Sequence, residues 1–222
     1  MKVIFLDIDG VIQPTWKQER FEHLGEMEEI AKRLDAEIPG YEYYKFVTAE
    51  KYPGVNYTAY TRKCGLGAVY FDWSKEAVGY LREVLEQYDA KIVVSSDWRD
   101  GGEFLIKLVL AVHGLDKYFY GMLEGLSYSP NERQARAQKY FYSIRKEREP
   151  YDTRAADIRD YLDQHQEITA YVAVDDLNLG FPVAGHFVYC DRGTIKQKEF
   201  QQMKELIEIE DGPYPLNYPS ND

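Results

Sequence analysis

Apolar residues in this chain fall into short unbroken runs that stop abruptly at acids or hydroxyls, separated by stretches of helical spacing. Val3-Ile4-Phe5-Leu6 has no polar alternation, which predicts a strand buried on both faces of a parallel sheet. Lys91-Ile92-Val93-Val94 and Ala170-Tyr171-Val172-Ala173-Val174 read the same way, and a further strand is expected over Gly185 to Cys190, turning at Asp191-Arg192-Gly193. A short strand is also expected within Leu115 to Met122. Between these runs, Leu24, Met27, Ile30, Ala31 and Leu34 predict an amphipathic helix over roughly residues 17–36. Ala77, Val78, Leu81, Val84, Leu85 and Tyr88 predict a second, capped by Ser74. Apolar residues over about 103–113 predict a third, and Ile158, Tyr161 and Leu162 a fourth that starts at Asp152. Thr194 and Gln197 match a capping box for a last helix that carries Phe200, Met203, Leu206 and Ile207 inward. Strands alternating with helices predict an α/β fold of three layers, Rossmann-like, with a central parallel sheet.

The same pattern divides the chain. Residues 1–12 and 73–210 form the expected core domain, and residues 13–72 a small insertion after the first strand, read as a possible small cap with long surface decoration as the competing reading. Within it, the Tyr-, Phe-, Gly- and Pro-rich stretch 41–72 suggests short strands and turns. Residues 127–150 read as a basic helical insertion, with Arg133, Arg136, Lys139, Arg145, Lys146 and Arg148 interleaved with Tyr140, Phe141 and Tyr142. Such a run is either a solvated helix face or a surface for a phosphate-rich substrate, including a nucleic-acid end. Residues 211–222 form an irregular tail.

Composition narrows the class. With 45% hydrophobic and 29% charged residues the chain is a globular protein. The net charge of −11 argues against a general affinity for the nucleic-acid backbone, though a local basic face can override the global sign. Cys64 and Cys190 show no metal-ligand spacing, as expected of a chain kept reduced inside a cell, and a disulfide between them stays open. Asp7 and Asp9 interrupt the only apolar run near the start, so no signal peptide is expected there. No stretch has the length of a membrane span. A cytoplasmic location without membrane contact is the expectation.

The candidate chemistry lies at the ends of the strands. Asp7 and Asp9 follow the first run one residue apart and precede Gly10, which lets the chain turn sharply. Two acids so placed repel unless a cation sits between them or one holds a proton. Packing does not ask for them, although Asp and Gly are also ordinary turn residues. Ser95 and Ser96 end the second run, where hydroxyls can donate to a ligand or simply cap a helix. Asp175 and Asp176 end another. Arg99 is either an anion contact or a surface ion-pair partner. Arg154, at the start of its helix, either points back to the strand tips or pairs with Asp157 or Asp160. Four carboxylates gathered at one sheet edge call for a hard divalent cation, most simply Mg²⁺, with oxygen ligands and room for a phosphate.

Asp7-Ile8-Asp9-Gly10-Val11, the hydroxyl strand end Ser95-Ser96, and Val174-Asp175-Asp176, in this order and spacing, resemble the motifs of the haloacid dehalogenase (HAD) superfamily. Within it, Ser96-Asp97-Trp98-Arg99 and the run from Arg154 through Ile158 and Leu162 into Asp175-Asp176 are similar to the small HAD phosphatase-like domains associated with RNA-repair proteins. The resemblance implies phosphoryl transfer through an aspartyl-phosphate on Asp7, with Asp9 as general acid and base. It implies Ser96, with Ser95 as the alternative, on the phosphoryl group; Ser95, Gly10 and Arg99 are the candidate substrate contacts. Mg²⁺ would be held by Asp7, the Asp9 carbonyl and either Asp175 or Asp176. Where the superfamily usually has a lysine, this chain has Arg154, which keeps the charge but alters the geometry, and Lys139 or Lys146 are the alternatives. Three functions follow as expectations: a Mg²⁺-dependent phosphatase acting on a phosphorylated small molecule, a nucleotide or nucleic-acid 3′-end phosphatase, and a non-catalytic HAD-fold binding module.

Overall fold

The computed structural model describes residues 1–123, 152–179, 183–191 and 193–212. Among the described residues the strands are β1 (Lys2–Leu6), β2 (Lys91–Val94), β3 (Phe119–Met122), β4 (Ala170–Asp175) and β5 (Phe187–Tyr189). They form one sheet in the order β3-β2-β1-β4-β5, every neighbouring pair parallel. The helices are α1 (Met27–Glu37), α2 (Tyr43–Thr48), α3 (Ala59–Gly67), α4 (Lys75–Gln87), α5 (Gly102–Ala111), α6 (Asp152–Gln164) and α7 (Gln197–Leu206). The expected α/β architecture, Rossmann-like with a central parallel sheet, is the one observed. Among the described residues no helix is long and apolar enough to cross a membrane.

Strand periodicity explains the layers. Ile4 and Leu6 of β1 point into one core with Ile92, Val94, Val172 and Val174, beneath helices that include α1, α4 and α5. Val3 and Phe5 point the other way and pack with Val93, Tyr171 and Ala173 against Ala155, Ile158 and Leu162 of α6. A strand covered on both faces needs apolar residues at every position, which is why β1 lacks alternation. The chain enters the sheet at β1, builds outward through β2 and β3, then returns to the other side of β1 for β4. The resulting switch point lies between β1 and β4, where open α/β sheets leave a crevice at the carboxyl ends of their strands.

Residues 13–72 add no strand to the sheet. Met27, Ile30, Tyr43, Phe46, Leu66 and Val69 instead join the core on the α4–α5 face. The short strands expected over 41–72 are a correction: this stretch folds as α2, α3 and a single π-helical turn (Ala68–Asp72), with only an isolated bridge between Tyr52 and Val55. Tyr43, Phe46 and Val47 share one helical face, and tertiary packing of that face outweighs their β propensity. Buried Arg62 fixes the arrangement by donating to the carbonyls of Phe46, Ala49 and Tyr57. The expected helix over 17–36 is shorter as well, with 3₁₀ turns at Glu19–Glu22 and Leu24–Glu26 before α1. Ser74 caps α4 as expected, accepting from the Ala77 amide at 3.2 Å. The last helix does not start at Thr194. Glu199 accepts from the Lys196 amide at 3.0 Å, so α7 begins at Gln197. The basic stretch 127–150, with Lys139 and Lys146, and the tail beyond Gly212 lie outside the described residues.

His113 links residues 13–72 to the end of α5. Its Nε2 donates to the Val69 carbonyl at 2.9 Å, and its ring stacks on Trp73 with centroids 5.0 Å apart. Burial lowers its pKa from the ordinary 6.5, although the Val69 carbonyl works in the opposite sense. The unfolded chain therefore takes up this proton before the folded one does, so the contribution of neutral His113 is complete above pH 6.5 and is lost as pH falls. Urea unfolding at pH 7.5 and 5.5, compared between wild type and His113→Gln, is expected to show the larger loss on acidification in the wild type. An equal loss in both would remove His113 as the cause.

Candidate active site

The strand register assembles this site. Leu6 pairs with Val94 on one side and Val174 on the other. One residue further on, Asp7, Ser95 and Asp175 therefore stand level, and the ladder continues through them: the Asp7 amide donates to the Val174 carbonyl at 3.0 Å and the Ser95 amide to the Leu6 carbonyl at 2.9 Å. Leu6, Val94 and Val174 face the α4–α5 side, so the next residues face α6. Arg154 lies on the first turn of that helix.

Arg154 Nη1 donates to Asp7 Oδ2 at 2.9 Å and to Asp175 Oδ2 at 2.7 Å, bridging the two strand ends. Its Nη2 lies 3.5 Å from Asp97. Of the two placements open for Arg154, the structure shows the one at the strand tips. Asp7 is pinned further by the Ile8 amide, which donates to its Oδ1 at 2.8 Å, and Asp175 by the Leu177 amide at 2.8 Å. Both oxygens of Asp175 are thus engaged. Asp176, half-buried, fills the space beside Gly10, where an added Cβ would come 2.0 Å from its Oδ2. Gly10 has φ +73°, so close approach and backbone conformation both exclude a side chain there.

The four acids do not gather as one set. Asp7, Asp175 and Asp176 each present an oxygen within 4.8 Å of the others. The Asp9 carboxylate turns aside, accepting from Trp98 Nε1 at 2.9 Å and Gln13 Nε2 at 2.6 Å. β1 ends at Leu6, so the strand alternation that would align Asp9 with Asp7 no longer applies. Trp98 and Gln13 were not singled out from sequence as partners of Asp9. Trp98 lies in the Ser96–Arg99 step that carried the closer resemblance, but nothing in the local sequence of Gln13 marks it.

Ser95 and Ser96 are both buried at the end of β2, and Ser96 Oγ accepts from the Trp98 amide at 3.5 Å, capping the 3₁₀ turn Asp97–Gly101. Arg99 is buried and not a surface residue. Its guanidinium donates back to the Ser95 and Ser96 carbonyls, which holds the loop carrying both hydroxyls.

Burial raises the pKa of Asp9, and the neighbouring Asp7 charge adds to it, while the Trp98 hydrogen bond opposes. Asp175 and Asp176 are also raised, first by burial and then by Asp7, with Arg154 pulling the other way. Arg154 itself is held more firmly protonated by Asp7 and Asp175, which outweigh the effect of its burial. Three desolvated carboxylates against one shared guanidinium leave negative charge uncompensated. An all-oxygen donor set with that charge fits a hard divalent cation. No curated protein and no solved structure matches the chain. Its five-stranded parallel sheet, the acids ending β1 and β4 and the hydroxyls ending β2 agree with a family match over residues 3–195: the chain belongs to the HAD domains of Swiss Army Knife RNA repair proteins, within a hydrolase superfamily.

Proposed function

We propose that this protein is a Mg²⁺-dependent phosphatase that works through a covalent phosphate on Asp7. The observation that carries the reading is the Arg154 bridge: one guanidinium group holds Asp7 and Asp175 together at the switch point, with Asp9 pinned separately by Trp98 and Gln13. A carboxylate oxygen of Asp7 attacks phosphorus, the bond from phosphorus to the leaving oxygen breaks, and Asp9 supplies that oxygen with a proton. Asp9 then takes a proton from the water that cleaves the acyl-phosphate, releasing inorganic phosphate and restoring Asp7. The raised pKa of Asp9 suits this alternation. Ser96, with Ser95 beside it, hydrogen-bonds the transferring group, and Arg154 offers it a permanent positive charge in the place of the superfamily's usual lysine.

Asp7, the Asp9 carbonyl and one of Asp175 or Asp176 would hold the ion, since the carboxylates of Asp7, Asp175 and Asp176 each present an oxygen within 4.8 Å of the others. Bound Mg²⁺ supplies charge that offsets the carboxylates and the phosphate oxygens. A family of RNA repair proteins favours a nucleic-acid terminal phosphate as the substrate class, and a 3′ end is the version we put forward. Intact acids argue against a purely non-catalytic binding module.

The test is a screen of sugar phosphates, nucleotides and 3′- or 5′-phosphorylated oligonucleotides with and without EDTA, followed by acid quench and peptide mapping of the phosphorylated protein. Turnover should disappear with EDTA, return with Mg²⁺, and leave acid-trapped phosphate on the peptide containing Asp7. Metal-independent turnover, or label elsewhere, would overturn the reading. The absence of any turnover together with a tight protein partner would favour the binding module.

A further inference from the structure

The leaving group departs on the Asp9 side of the site, and the chain that follows Asp9 carries the most exposed large apolar side chain among the described residues: Trp16, 76% exposed. Two sets of contacts fix its place at the carboxyl edge of the sheet. On one side, the Gly10 amide donates to the Gln13 carbonyl at 2.7 Å and the Lys17 amide to the Pro14 carbonyl at 3.2 Å, so the chain turns directly after the residue that holds Asp9. On the other, the indole Nε1 lies 4.0 Å from the position a Cβ on Gly193 would take. Gly193 belongs to the loop after β5, and the Ile195 amide of that loop donates to the Val11 carbonyl at 2.9 Å. Trp16 therefore stands where the Asp9 loop and the β5 loop meet. Further along, Arg20 is held by Asp72 at 2.5 Å, and its charge is felt at Asp9. The segment from Pro14 to Arg20 thus folds back on the leaving-group side.

An indole left this exposed contributes little burial to the fold. Tryptophan is costly to leave in water, and a flat ring at the rim of a phosphate site is the surface on which nucleobases stack, whatever their identity. Resting on the phosphatase reading above, we propose that Trp16 is a platform for the base of the leaving nucleoside, so that the substrate is a phosphorylated nucleotide terminus and not a sugar phosphate.

The experiment compares wild type, Trp16→Ala and Trp16→Phe on three substrates: a 3′-phosphorylated oligoribonucleotide, the same strand with an abasic sugar at its 3′ end, and glycerol phosphate. Trp16→Ala is expected to lower kcat/KM on the first by about tenfold relative to the other two, within the range of base–aromatic stacking. Trp16→Phe should recover most of that loss. Equal effects on all three substrates, or none, would overturn the platform. Since Trp16 is exposed, the alanine variant should melt with the wild type. A second readout uses the non-hydrolysing Asp7→Asn protein titrated with a nucleoside 3′-phosphate. Quenching of tryptophan fluorescence that disappears on adding Trp16→Phe supports stacking, and unchanged quenching counts against it. This binding signal is independent of turnover: absent hydrolysis of every substrate defeats the phosphatase reading, whereas absent base dependence defeats the platform.

Discussion

Asp7→Asn is expected to abolish phosphomonoester hydrolysis, with a loss on the order of 10⁴-fold or more, as for other nucleophiles whose removal ends a covalent route. The amide has nearly the shape of the carboxylate, and its single oxygen can still accept from one of the two donors that now hold Asp7, the Ile8 amide or Arg154, so the loop should keep its form. What it loses is the nucleophilic oxygen and a negative charge. Removing that charge also relieves Asp175 and Asp176, whose pKa values the Asp7 carboxylate helps to raise. That relief works against the loss of one charged Arg154 contact, and Arg154 keeps Asp175, so the variant should melt close to the wild type. Steady-state hydrolysis of an aryl phosphate, read beside thermal unfolding, checks both halves. A well-folded variant that keeps wild-type turnover would exclude Asp7 as the nucleophile.

The second large effect is expected at Arg154. Asp7 is 4% exposed and Asp175 fully buried, and Arg154 Nη1 is the cation both of them touch. Truncation to alanine leaves two desolvated carboxylates facing each other. Removing one partner of a buried ion pair typically costs about 3–5 kcal/mol. Because a cation bound to the folded protein and not to the unfolded chain stabilises by mass action, millimolar Mg²⁺ should return part of that loss in Arg154→Ala. Arg154→Lys keeps the charge but replaces a planar fork with a point charge, so it should fall between wild type and alanine in both stability and turnover. Urea unfolding with Mg²⁺ or EDTA decides the matter. An alanine variant as stable as the wild type without metal would mean that the bridge contributes nothing to the fold.

Much of this site was legible in the linear chain, because each piece announces itself locally. An apolar run that ends in Asp7 and Asp9, another in Ser95 and Ser96, and a third in Asp175 and Asp176 place chemistry at strand ends without reference to anything else. The helix over 75–87 was legible for the same reason, since its apolar spacing and its Ser74 cap are short-range features. Residues 41–72 were misread because Tyr, Phe and Val favour strands in isolation, while their helical face is rewarded only by packing against the α4–α5 side of the sheet. The surface reading of Arg99 fails because its burial depends on the loop folding over it, and the basic stretch 127–150 lies outside the described residues.

The linear chain alone marks the strands of the sheet, the carboxylates and hydroxyls at their ends, and a parallel sheet covered on both faces. All of these follow from hydrophobic period and run length. Folding in three dimensions is what makes β1 and β4 neighbours, sets Asp7 level with Asp175, lets Arg154 reach both, and turns Asp9 away to Trp98 and Gln13. Strand order and register are set by contacts between residues far apart in the chain, and these leave no periodic trace within either partner.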